Sequence, residues 1–96
     1  MIRSYRIEDD LAAVDTRAIE VSIVLADERR RWCFFLSPAA IAACGDFVEG
    51  TNVRVHLGEL HMIVVSEVTV EVIERVLGEL DKCGALEGRT LPLTPK

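Results

Sequence analysis

Two histidines, His56 and His61, are the residues whose type and spacing come nearest to chemistry. They flank Gly58-Glu59, and glycine at the first central position suits a two-residue type II′ turn. A hairpin of strands 53–57 and 60–66 about that turn pairs Leu57 with Leu60, His56 with His61 and Val55 with Met62. Its register sets the Cβ atoms of the two histidines about 5 Å apart on one face. Imidazoles at that range can share a metal ion or act as a pH-sensitive pair. A metal site normally completes its shell with a third and fourth ligand, and the sequence offers none nearby.

Three cysteines, Cys33, Cys44 and Cys83, supply the enzymatic version of the same idea, a thiol beside His56 or His61. No signature motif surrounds any of them. Cys33 has apolar neighbours and Cys44 sits in an alanine-rich helical stretch, so both read as small core hydrophobes. An odd count at wide spacing argues for reduced thiols rather than a disulfide framework.

Arg29, Arg30 and Arg31 form a short basic run at a hairpin tip. Such a tip can touch phosphate, and Trp32 beside it can stack on a base. Asp27 and Glu28 offset two of the three charges, and turn charges are normally solvated. The whole chain carries 11 basic and 16 acidic residues, a net charge of -5. That balance disfavours non-specific contact with DNA or RNA. There is no GxxxxGK[ST], GxGxxG, HExxH or GxSxG pattern, and Asp9-Asp10 reads as a solvated link. The expectation is a non-enzymatic chain without a cofactor.

A short series of strands and helices has to carry these side chains. Ninety-six residues fit one domain, here 1–86, followed by an arm or flexible tail over 87–96 that carries Pro92 and Pro95. Residues 2–7 suit a first strand; 8–17 suit helix or strand equally. Ile19, Val21, Ile23 and Leu25 alternate with polar neighbours, the pattern of a half-buried strand. Residues 31–36 return as a strand that is apolar on both faces and therefore central. Ser37 caps a short helix with Pro38 in its first position, and Gly45 stops it. Thr69 caps a second helix from Val70 to about Cys83, whose apolar stripe is Val70, Ile73, Val76, Leu77 and Leu80. The sequence therefore predicts an α+β fold of order β-β-β-α-β-β-α. Its sheet is mainly antiparallel, of four to five strands, with two helices packed on it.

Mean hydropathy is +0.27 and half the residues are hydrophobic. Two short helices cover one sheet face, which leaves apolar side chains on the other. A second copy of the chain is the expected cover, with Trp32, Phe34, Met62 and Val64 as the contact residues. Another protein or a small apolar ligand is the other partner compatible with that surface. The N-terminus has no apolar run of signal-peptide length, and no stretch is long enough to span a bilayer. The expected setting is soluble and cytoplasmic. Two further readings stand beside the homodimeric interaction module: a nucleic-acid contact through Arg29–Arg31, and a metal-binding protein or enzyme using His56 and His61.

Overall fold

The computed structural model describes residues 1–56 and 58–93. Strands β1 (Ile2–Ile7), β2 (Ile19–Leu25) and β3 (Arg30–Leu36) form an antiparallel meander in which Tyr5 pairs with Ile23 and Val21 with Cys33. Residues 8–17, which the sequence leaves open, contain a 3₁₀ turn at Leu11–Ala13. The Asp10 carboxylate caps it by accepting from the Ala12 amide at 2.9 Å. Asp27 closes the β2–β3 turn by accepting from the Arg29 amide at 3.1 Å.

Helix α1 (Pro38–Ala43) begins as its sequence requires. The Ser37 hydroxyl accepts from the Ala40 amide at 3.1 Å and donates to the Val14 carbonyl at 3.0 Å, which pins the N-terminal loop to the helix start. From there the chain departs from the expected hairpin. Strand β4 (Asp46–Phe47) pairs antiparallel with β5 (Arg54–Val55) as a separate two-stranded ribbon. Strand β6 (Met62–Val64) instead runs parallel to β3, with Phe34 opposite Met62 and Leu36 opposite Val64. The physical reason is the demand of a central strand. Without β6, the C-terminal half of β3 would leave one row of amides and carbonyls unpaired. Docking there also packs Ile63 and Val65 against the core, which a 53–66 hairpin does not achieve. A parallel neighbour needs a crossover, and α1 with the ribbon supplies it. The expected pairing of Leu57 lies outside the described residues.

Helix α2 (Val70–Lys82) is capped by the Thr69 hydroxyl, which accepts from the Val72 amide at 3.1 Å. Its buried residues, Ile73 and Leu77, meet Ile19, Val21, Ile23, Cys33 and Phe35 on the inner sheet face to form the core. Helix α1 lies at the C-terminal end of β3, beside β5. The chain then returns to the sheet. Strand β7 (Leu91–Pro92) pairs antiparallel with Arg31 and Trp32, on the N-terminal stretch of the β3 edge whose C-terminal stretch β6 occupies. Its proline lies where an edge strand tolerates one. Arg31 secures this return by donating to the Thr90 hydroxyl at 2.6 Å and to the carbonyls of Thr90 and Glu87 at 2.8 and 3.1 Å. Residues 94–96 of the expected tail lie outside the described residues. The architecture is α+β: a mainly antiparallel sheet in the order β1-β2-β3-β6, with β7 on β3 and two helices. Among the described residues no helix is long and apolar enough to cross a membrane.

Candidate functional site

Period-two alternation divides β3 between two environments. Cys33 and Phe35 point into the core and are fully buried. Trp32 and Phe34 point to the outer face and are only half-buried. The chain entering β6 brings His61 between them. Its ring meets Trp32 and Phe34 edge-on, at centroid distances of 4.4 and 4.8 Å and interplanar angles of 69° and 85°. The His61 carbonyl accepts from the Phe34 amide at 3.0 Å, which fixes the backbone that carries the ring. Its side chain is 7% exposed, its Nε2 lies 3.5 Å from a Glu59 carboxylate oxygen, and its Nδ1 is buried with no hydrogen-bond partner among the described residues.

A concavity of about 350 Å³ opens beside this aromatic group. Carboxylates stand around it: Asp9, Glu20 and Glu59. Asp9 is held in place from two sides. Its Oδ1 takes the Arg17 guanidinium at 3.0 Å, and its Oδ2 accepts from the Glu20 amide at 2.8 Å. A second concavity of about 250 Å³ adjoins it, and the two share Ala18, Phe34, Cys44 and Glu59. His56 lines this second space. Its Nε2 lies 3.0 Å from the Ile41 carbonyl. A carbonyl only accepts, so Nε2 carries the proton there.

His56 and His61 therefore do not face each other across a ladder. They occupy neighbouring concavities on different elements, His56 after β5 and His61 before β6. Among the described residues no group of three or more His, Cys, Asp or Glu side chains is placed to hold a metal ion. Cys44 is half-buried and borders both spaces, and no hydrogen bond among the described residues joins it to either histidine. Cys33 is buried in the core, where desolvation pushes its thiol up to about 12. Cys83 is exposed at the end of α2. Titration of the folded protein with a disulfide reagent near pH 8 should label Cys83 at once and Cys44 more slowly. Cys33 should react only on unfolding, and its labelling at the rate of Cys83 would contradict this core.

The three arginines of the tip are unequal. Arg29 donates to Asp27 at 2.7 Å and pairs with Glu87 at 2.6 Å. Glu87 first, and Asp27 after it, raise the guanidinium's affinity for its proton. Arg31 holds the Thr90 segment. Arg30 alone of the three makes no ion pair or side-chain hydrogen bond among the described residues. Two of the three charges are thus engaged with the chain's own acceptors.

No family model, no curated protein and no solved structure matches this chain. Geometry alone therefore points to its function. The four expected contact residues gather on one surface: Trp32 and Phe34 from β3, Met62 and Val64 from β6, with the register placing Phe34 beside Met62. Sequence reasoning missed Asp9, Arg17, Glu20 and Glu59. Their signal was weak because each reads locally as a solvated charge. Only the 3₁₀ turn and the β3–β6 crossover bring them to one rim.

Proposed function

We propose that this chain is a non-enzymatic binding module that works as a homodimer through the outer face of its sheet. One observation supports the reading above the rest. On the inner face Val21, Ile23, Cys33 and Phe35 are fully buried, while on the outer face Val64 is 49% exposed and Trp32, Phe34 and Met62 are half-buried. Contiguous apolar surface of this kind on a small domain marks a contact site. A twofold axis through the face lets one patch cover its own copy, the commonest solution for a soluble oligomer. Reduced cysteines suit a cytoplasmic setting for such a module.

The test is oligomeric state. Sedimentation at micromolar concentration should give a dimer. Val64→Glu, which puts a charge into the seam, should weaken association about 100-fold while leaving the circular dichroism spectrum unchanged. A wild-type chain that sediments as a stable monomer would overturn the homodimer.

A further inference from the structure

We propose that the concavity beside Trp32 binds a small organic ammonium ion, with its charge over the aromatic group and its flanks against the acidic rim. This deepens the reading of the outer face as a contact surface, because a second copy would close the open side of the same space.

The aromatic wall and the acidic rim of this space both favour positive charge. The π-faces of Trp32 and Phe34 are the negative parts of their quadrupoles, and tryptophan is the best of the aromatic hosts for a cation. His61 packs edge-on against both rings, so the three hold one another in place. The rings of Trp32 and Phe34 lie 6.3 Å apart and tilted by 32°, which makes a shallow angled wall rather than a closed stack.

The rim has the same sign. Asp9, Glu20 and Glu59 face the space, against the single guanidinium of Arg17. Arg17 does not fill the aromatic wall. Its charge is held by Asp9 at 3.0 Å, and the cation–π contact found among the described residues is elsewhere, Arg54 over Phe47 at 3.9 Å. Glu20 is therefore free to balance an incoming charge, and Glu59, exposed beside His61, shares the same rim. Trp32 also borders a second small hollow, on the side of Glu8 and Glu20, so its surroundings are acidic in two directions.

The buried Nδ1 of His61 is a separate unsatisfied polar atom beside the same space. A buried polar atom without a partner calls for an explanation in the site around it. His61 Nε2 lies 3.5 Å from a Glu59 carboxylate oxygen, so the group beside the cavity is polar as well as aromatic. An inorganic cation fits poorly here, because among the described residues no three His, Cys, Asp or Glu side chains are placed to hold one. A methylated ammonium has a diffuse charge and an apolar skin, and a volume of about 350 Å³ accommodates it readily.

The chain holds one tryptophan, so its tryptophan emission reports on the surroundings of Trp32. Titration with tetramethylammonium and with choline, at constant ionic strength, should give a saturable change in Trp32 emission. The neutral isostere 3,3-dimethylbutan-1-ol should bind about tenfold more weakly or not at all. Glu20→Gln combined with Glu59→Gln should lower affinity for the cations by a similar factor and leave the response to the isostere unchanged. Trp32→Leu, read by calorimetry, should abolish cation binding in a folded protein. An absent saturable response to both cations would overturn the proposal, and so would equal binding of the isostere. Sedimentation of the same samples separates the two readings. A monomer that still saturates with tetramethylammonium refutes the homodimer and retains the site, whereas a dimer blind to both cations does the reverse.

Discussion

Phe35→Ala should lower stability by about 3–5 kcal/mol, the range for emptying a large aromatic site in a packed core. Phe35 is fully buried near the C-terminal end of β3, with Ile19 beside it on β2 and Ile63 beside it on β6. It belongs to the cluster that also contains Ile73 and Leu77 of α2, so its removal takes contacts from every layer at once. A domain of this size holds only about 5–15 kcal/mol in total. The expected fall in Tm is roughly 15–30 °C, measured by thermal denaturation followed by circular dichroism. Trp32→Ala on the same strand is the informative comparison. Trp32 is the larger side chain, yet it stands on the outer face and is half-buried, so its truncation should cost clearly less. Equal losses for the two variants would refute the assignment of inner and outer faces.

Gly45→Ala should rank next, and its effect should be local. Gly45 has φ +94°, a region where an L side chain is strained by about 1–3 kcal/mol. A Cβ built there lies 2.7 Å from His56 Cε1, 2.9 Å from its Nε2 and 3.2 Å from the Val55 carbonyl oxygen. The imidazole cannot move away freely, because its Nε2 donates to the Ile41 carbonyl at 3.0 Å. The substituted chain must therefore break that bond or push the ribbon off α1. The Gly45 carbonyl also accepts from Arg54 at 2.8 Å, so the displacement should reach β5. Hydrogen exchange should show it. The Val48 amide, which donates across the ribbon to Val53 at 2.8 Å, should lose protection, while amides of β2 keep most of theirs. Gly50→Ala is the control. Gly50 also has positive φ, +77°, but nothing lies within 4 Å of its added Cβ, so only backbone strain remains. Equal losses for the two glycines would show that His56 does not pack against the turn.

Residues of this fold differ in how plainly the chain announces them. The alternation Ile19, Val21, Ile23, Leu25 defines β2 from residue types alone, and each of these residues is buried. Ser37-Pro38 and Thr69 mark the starts of α1 and α2, because caps act over three residues and need nothing from the rest of the fold. Of the α2 stripe Val70, Ile73, Val76, Leu77 and Leu80, all but Val70 pack into the core; Val70, in the first turn, is 47% exposed. Each of these signals is local. So is the doubly apolar run of β3, which correctly announces a central strand, although its outer face is only partly covered.

The partner of β6 lay beyond such reasoning. Gly58-Glu59 between two short apolar runs is a fair hairpin signal, and strand pairing by proximity costs the least loop entropy. The chain closes the longer loop because β3 has an unpaired edge and Ile63 has a core to enter, and both facts belong to elements far away in sequence. That one choice separates His56 from His61, seats His61 between Trp32 and Phe34, and brings Glu59 towards Asp9 and Glu20 on one rim. Which segments become strands or helices, and which of their faces are apolar, follows from the chain itself, because those properties depend on neighbours one to four residues apart. Which edges pair and which charges share a cavity was settled by three-dimensional packing, because distant segments compete for the same backbone hydrogen bonds and the same buried volume.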